Sequence, residues 1–210
     1  MLDAIFKEEI MRYLFLVTMT IFSIFLAVAG VSAESGTQPS IHNIEAPGNL
    51  ESKHELGCIA ADKVESQYTP IDLLKATSLC AKSGMYKEGT FLFAVAGVYG
   101  RFDTLRVEDK SAHQAVAIAR MVEIGSLDES NKTALQESLK AILGSQEELA
   151  AVCEKIVLIG PPSYYPRYMI QHGMGAFSKS NGGDGLVENF DVQGAWKQSL
   201  ESYLHCPNLN

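Results

Sequence analysis

Apolar side chains recur every three or four positions through most of the chain after residue 50, as they do on the buried face of a helix. This periodicity predicts helices at 52–66, 70–82, 86–99, 112–123, 129–143, 146–158 and 192–204, and a short helix after Pro166. No stretch alternates between apolar and polar residues as a half-buried strand would. The sequence therefore predicts an all-α fold, either a helical bundle or a short repeat-like array of about six helices.

Helix-capping and helix-breaking residues support several of these boundaries. Pro70 is favourable at a helix start, because the amide hydrogen that it lacks would have no partner there. Ser145 and Glu148 form a capping-box pattern for the helix that follows them, and Gly144 ends the helix before them. In the predicted helix 129–143, the spacing places four apolar side chains on an inward face: Leu135, Leu139, Ile142 and Leu143.

The start of the chain has the pattern of a secretory signal peptide. An apolar run, Tyr13 to Ala29, follows Arg12, and the small side chains of Val31 and Ala33 suit the −3 and −1 positions of a cleavage site. The run is short for a membrane span of about 20 residues, and an uncleaved anchor is the alternative. The predicted organisation is a signal peptide at 1–33, a flexible segment at 34–51 and a single all-α domain at 52–210. We expect no stable membrane insertion after cleavage.

The four cysteines, Cys58, Cys80, Cys153 and Cys206, all follow the predicted signal peptide, which favours two disulfides in an exported protein. Three pairings are possible. If helices 54–66 and 70–82 form an antiparallel hairpin, Cys58 and Cys80 lie level on its two arms, as a bridge with Cα atoms about 5.5 Å apart requires. Cys153 and Cys206 then pair by elimination. No Cys or His spacing is typical of a metal site, so we expect no metal and no cofactor.

The charge balance limits the kinds of partner. The chain has 17 Lys and Arg against 25 Asp and Glu, a formal net charge of −8. Such a surface repels phosphate backbones, so we expect no nucleic-acid partner. A basic partner is permitted.

Residues 70–103 resemble one helical hairpin of the tetratricopeptide and Sel1-like repeat proteins. Gly84 and Tyr86 lie at its turn, while Gly89, Phe93 and Ala96 take the places where such repeats alternate small, aromatic and small residues. Small residues let two helices approach closely, and the aromatic ring fills the space between them. No second copy follows at a fixed period. The resemblance implies a surface that binds peptides or proteins rather than a catalytic site.

Catalytic sequence motifs are absent, and the most unusual segment is YYPRYMIQH. Its candidate binding residues are Tyr164, Tyr165, Arg167, Tyr168 and His172, since tyrosine and arginine are frequent anchors at interfaces. The alternative is that the tyrosine rings pack against the helices and the arginine pairs with an acidic neighbour. A second charged patch, at 101–110, has alternating signs that indicate either an ion-pair network at a turn between two helices or an exposed recognition surface.

These features together predict an exported, periplasmic or secreted, non-enzymatic module that binds a protein partner, with an inhibitor of the immunity type as its specific form. The alternative from another class is a periplasmic hydrolase in which His172 acts with Tyr165 or Asp184. The two functions differ in whether His172 lies in a closed pocket or on an open face.

Overall fold

The computed structural model describes residues 45–178 and 183–207. They form seven α-helices: α1 (Pro70–Lys82), α2 (Tyr86–Arg106), α3 (Ala115–Gly125), α4 (Glu129–Gly144), α5 (Gln146–Ile159), α6 (Arg167–Ile170) and α7 (Val192–Ser199). Within these residues there is no β-strand, only an isolated antiparallel bridge between Val107 and Leu186. The all-α prediction is confirmed. The predicted signal peptide and residues 34–44 lie outside the described residues.

Helices α1 and α2 form the antiparallel hairpin on which the rest of the fold is built. Their turn contains Gly84 in the left-handed region, with φ of +74°, which favours glycine. Gly89 lets α2 approach α1, because a Cβ there would lie 3.3 Å from Cβ of Cys80. Both helices contribute fully buried apolar side chains to the main core: Leu73, Leu74, Leu92, Val95, Val98, Tyr99 and Phe102.

Helix α2 continues seven residues beyond its expected end at residue 99. The segment 101–106 is the last turns of the helix rather than a connector, because Phe102 packs in the core and Asp103 and Arg106 are buried as a pair. Charged residues are rarely buried unless they are paired, and the pairing is invisible in the sequence pattern. In place of the expected ion-pair network at a turn, the described residues have one ion pair in this patch, between Asp103 and Arg106 within the helix.

The helix expected at 52–66 is wrong. This segment is extended except for one 3₁₀ turn, Ala61–Lys63. The carboxylate of Asp72 at the start of α1 accepts hydrogen bonds from the backbone amides of Lys53 and His54, which fixes the chain in an extended path. Along residues 51–58 the exposed side chains alternate with partly buried ones, as expected for extended backbone.

Both predicted disulfides are confirmed, Cys58–Cys80 with a Cα–Cα distance of 4.7 Å and Cys153–Cys206 with 5.7 Å. The reason given for the Cys58–Cys80 pair is wrong, since Cys58 belongs to the extended segment and not to a helix that forms a hairpin with α1. The second disulfide joins α5 to the end of the chain that follows α7. Each ring closure stabilises a fold by about 2–4 kcal/mol in the chain-entropy account.

Helices α3, α4 and α5 form an outer layer with few buried side chains. Helix α4 has one buried residue, Leu135, although the spacing predicts four inward-facing apolar residues. Leu139 and Ile142 are partly buried and Leu143 is 52% exposed. The expectation of a covered stripe is therefore wrong for three of the four positions. The open part of the stripe borders two grooves that are described below.

The C-terminal helix packs against α2. Trp196 of α7 is buried with its ring 5.9 Å from that of Tyr99 and 6.3 Å from that of Phe102. The helix continues as a π-helical turn, Leu200–Leu204, and ends at His205 in the left-handed conformation. Tyr203 of this turn lies directly over Gly97 of α2, where a Cβ would overlap its ring.

Candidate functional site

Tyr164 and Tyr168, two of the five candidate residues, belong to a buried cluster around Asp103. Oδ2 of Asp103 accepts hydrogen bonds from Tyr164 (2.8 Å) and Tyr168 (2.6 Å). Its Oδ1 accepts a bond of 2.7 Å from Nε of Arg106. The guanidinium also lies 5.1 Å from the ring centre of Phe102 and 5.0 Å from that of Tyr164. Each of these four polar side chains therefore has its partner inside the fold.

The electrostatics of the cluster fit a structural role. Burial raises the pKa of Asp103, while Arg106 and the two tyrosine hydroxyls lower it. Burial, together with the nearby Asp103, holds the pKa of Tyr164 and of Tyr168 well above the usual value, so both hydroxyls remain donors at neutral pH. Tyr168 is only 2% exposed. Tyr164 and Tyr168 therefore match the alternative in which the tyrosine rings pack against the helices.

Arg167 and His172 hold the residues that precede the extended segment. Nη2 of Arg167 donates to the carbonyl oxygen of Pro47 at 3.2 Å, and Nδ1 of His172 lies 2.8 Å from Oδ1 of Asn49. Burial lowers the pKa of His172, partly opposed by Glu45. These contacts extend the packed domain upstream of the boundary expected at residue 52.

Tyr165 lies at a different place, beside the loop after residue 182. Its hydroxyl donates to the carbonyl oxygen of Asp184, and its side chain is 44% exposed. It does not contact His172, whose ring is directed to Asn49. The side chains of Tyr165 and His172, one of the two pairs that the hydrolase alternative offered, therefore bind different groups. The described residues contain no group of three His, Cys, Asp or Glu side chains that could hold a metal ion.

A groove of about 760 Å³ lies between α2, α4 and α5. We call it the three-helix groove. Its apolar lining residues include the buried Phe91 and the partly buried Ile142 and Val152, with alanines on the facing walls. Its charged lining residues are Lys87, Glu88, Glu137, Glu148 and Lys155. Sequence analysis missed this site, and of the apolar stripe of α4 only Ile142 lines it.

A second groove, of about 520 Å³, lies on the other side of α4, where α4 faces α3 and α2. We call it the apolar groove. Its walls include Phe93, Met121, Ile124, Leu135 and Leu139. A smaller cavity of about 220 Å³ adjoins it and shares Phe93 and Arg120 with it.

None of the helices in the described part of the chain is long and apolar enough to cross a membrane. Comparisons with protein-family models, with curated proteins and with solved structures found no significant match. The resemblance to tetratricopeptide and Sel1-like hairpins stays an expectation from the sequence.

Proposed function

We propose that this protein is an exported, non-enzymatic interaction module that binds a helical segment of a protein partner in the three-helix groove. The observation that carries the proposal is the three-helix groove itself, an open cavity of about 760 Å³ to which the apolar stripe of α4 contributes the partly buried Ile142. An amphipathic helix with one apolar face would cover Ile142 and the adjacent Ala141, which both line the groove.

The shape of the groove suits a helix better than a small molecule. The side chains of Ala134, Ala141 and Ala151 on its two long walls are small, so that a helix backbone could approach closely. Ile142 and Val152 are partly buried and still offer apolar surface along its length, whereas Phe91 is already buried at its floor. Covering about 100 Å² of apolar surface by a partner would be worth roughly 2.5 kcal/mol before the costs of association.

The charges favour a partner helix with basic residues next to its apolar face. Three glutamates and two lysines line the groove, and the whole chain has a formal net charge of −8. Such a field accelerates association with a basic partner and disfavours an acidic one.

Export is supported by the signal-peptide pattern and by the two disulfides, which persist mainly in oxidising compartments. A small, cross-linked scaffold with an open groove suits an inhibitor, and the immunity type is the specific form that we propose. The hydrolase alternative has no such support, because Tyr165 and His172 contact different parts of the molecule.

The experiment places a photo-activated cross-linker at Ala141, which lines the groove, or at Lys140, which is exposed on the same helix outside it. In cells that produce the protein, we expect one partner to cross-link from residue 141 and not from residue 140. The cross-linked segment of that partner should be an amphipathic helix with Lys or Arg, identified by mass spectrometry.

A steric variant completes the test. Ala141→Trp should fill the groove and abolish cross-linking of the same partner from a second groove position, Ala134, while Lys140→Trp should leave it unchanged. Retention of the partner by Ala141→Trp, or equal cross-linking from residue 140, would contradict the proposal. Circular dichroism of both variants checks that the fold is preserved.

A further inference from the structure

We propose a second binding site, for a single-chain anionic amphiphile, formed by the apolar groove and the small cavity beside it. The carboxylate or phosphate head of the ligand would bind Arg101 and Arg120 at the small cavity, and its acyl chain would lie along the apolar groove. This site is separate from the three-helix groove, since α4 lies between them. It goes beyond the proposed function and does not depend on it.

The apolar groove has the size and the lining of a site for a hydrocarbon chain. Its volume of about 520 Å³ lies within the usual range of about 300–1,000 Å³ for small-molecule sites. Phe93 and Leu135 belong to its lining, and Leu139, Met121 and Ile124 form apolar walls. Met121 is 68% exposed and would lose most of its contact with water when a chain occupies the groove.

The small cavity next to it contains two positive charges. Arg101 on α2 and Arg120 on α3 both line this cavity of about 220 Å³, and neither forms an ion pair with a carboxylate among the described residues. Arg101 instead makes neutral hydrogen bonds, from Nε to Ser202 and from Nη1 to Thr104. Two guanidinium groups that face one cavity repel each other, and an anion between them removes that repulsion.

Arg120 connects the two parts of the site, because it lines both cavities. It also lies near the hydroxyl of Tyr203, whose pKa is raised by burial and lowered in part by this arginine. The site therefore has two arginines at one end, among mainly apolar neighbours such as Leu74 and Val116, and an apolar groove at the other end. Arginine forms strong charge-assisted hydrogen bonds with both carboxylates and phosphates, so the geometry fits either head group.

The choice of an amphiphile over a plain anion or a neutral lipid follows from this combination. A free anion would leave the apolar groove exposed, and a neutral chain would leave the two arginines without an anionic partner. A protein helix with acidic residues would also cover the groove, and binding of an acidic amphipathic peptide is therefore compared in the test.

Binding of four probes to the purified protein tests the proposal by isothermal titration calorimetry: dodecanoate, dodecyl phosphate, dodecanol and inorganic phosphate. We expect one molecule of either anionic amphiphile per chain, dodecanol at least tenfold weaker, and no detectable binding of phosphate alone at the same concentrations. Arg120→Gln should weaken both anionic probes at least tenfold and leave dodecanol unchanged. Leu139→Glu should weaken all three chains, and Lys140→Gln, on the exposed face of α4, should change nothing.

A second measurement keeps the test independent of variant stability. In the unmodified protein with labelled methionine methyl groups, dodecanoate should shift the NMR signal of Met121 and leave that of the buried Met169 in place. Equal affinity for dodecanol and dodecanoate, equal affinity for phosphate and dodecyl phosphate, or no effect of Arg120→Gln would each overturn the proposal. Preferential binding of an acidic amphipathic peptide over both anionic amphiphiles would also overturn it.

Discussion

At the scale of single residues, two buried carboxylates attach irregular segments to the α1–α2 hairpin. Asp72 near the start of α1 accepts hydrogen bonds from Ser52, Lys53 and His54. Asp103 near the end of α2 accepts them from Tyr164, in the segment between α5 and α6, and from Tyr168 in the short helix α6. A buried carboxylate is costly unless several donors compensate its lost hydration, and each of these carboxylates obtains donors from an irregular segment or a single helical turn distant in sequence.

The stability of the protein should depend on pH through Asp72. Burial raises the pKa of this carboxyl, but hydrogen bonds from His54, Thr69 and Ser52 outweigh burial, so the folded-state pKa lies below the ordinary value. A depressed pKa contributes stability above the unfolded pKa of about 3.9, and this contribution is lost as pH falls through the folded pKa. Asp72→Asn should lower the free energy of unfolding at pH 7 by about 1–3 kcal/mol.

Urea unfolding between pH 2.5 and 7 checks this prediction. The difference between the unmodified protein and Asp72→Asn should begin to shrink below about pH 4 and be lost as pH falls through the lowered folded-state pKa, because the carboxyl is then uncharged like the amide of asparagine. Asp62→Asn is the matched control, since Asp62 is exposed and its carboxylate pairs only with the neighbouring Lys63. A constant difference across the whole pH range would show that the charge of Asp72 does not contribute.

At the scale of elements, the sequence predicts helices where local signals and burial agree. Ser145 caps α5 by accepting a hydrogen bond from the amide of Glu148, as its capping-box pattern predicts. The helix predicted at 52–66 is wrong because hydrogen bonds to Asp72, which is distant in sequence, hold the start of this segment in an extended conformation. Helix α3 begins at Ala115 rather than at residue 112, because Asp109 binds Ser111 and stabilises a 3₁₀ turn first.

The site was harder to predict than the helices for the same reason. A stripe at helical spacing shows which face of α4 is apolar, but only the packing of its neighbours decides how much of that face is covered. Tyr164 and Tyr165 are adjacent in sequence, yet one hydroxyl binds Asp103 inside the fold and the other binds the backbone of Asp184. Residue type alone does not distinguish these environments.

The packing of the C-terminal turn on α2 should depend on Gly97. Gly97→Ala adds a Cβ that overlaps the ring of Tyr203, and overpacking of this kind costs about 1–3 kcal/mol. The gain in helix propensity, about 1 kcal/mol, does not offset the upper part of that range. We expect a lower midpoint of thermal unfolding for Gly97→Ala, measured by circular dichroism.

Two further variants show whether Tyr203 is the cause. Gly144→Ala at the end of α4 is the matched control, because a Cβ there has no neighbour within 4 Å, and it should not destabilise the protein. The double variant Gly97→Ala with Tyr203→Ala should lose less stability than the two single variants added together. Strict additivity would place the cost of Gly97→Ala somewhere other than at the ring.

At the scale of the whole molecule, the two disulfides connect the hairpin core and the outer layer to the less regular ends of the fold. Cys58–Cys80 attaches the extended segment to α1, whereas Cys153–Cys206 attaches the end of the chain to α5. The two grooves lie on either side of α4, in a layer that buries few side chains. The cross-links therefore stabilise a molecule whose outer helices leave apolar surface uncovered.

The two disulfides should have different local effects, which the only tryptophan of the chain can report. Trp196 is buried ten residues before Cys206 and packs on Tyr99 and Phe102. Replacing Cys153 and Cys206 by serine removes the covalent tie beside this ring, so its fluorescence should shift to longer wavelength before global unfolding in urea. Replacing Cys58 and Cys80 should lower the free energy of unfolding by about 2–4 kcal/mol, with one transition shared by fluorescence and circular dichroism. Identical fluorescence in both double variants would show that the C-terminal helix is held by packing alone.

Thiol titration of the unreduced protein in denaturant should find no free sulfhydryl group, because all four cysteines are paired. Four free groups would remove the disulfide support for export.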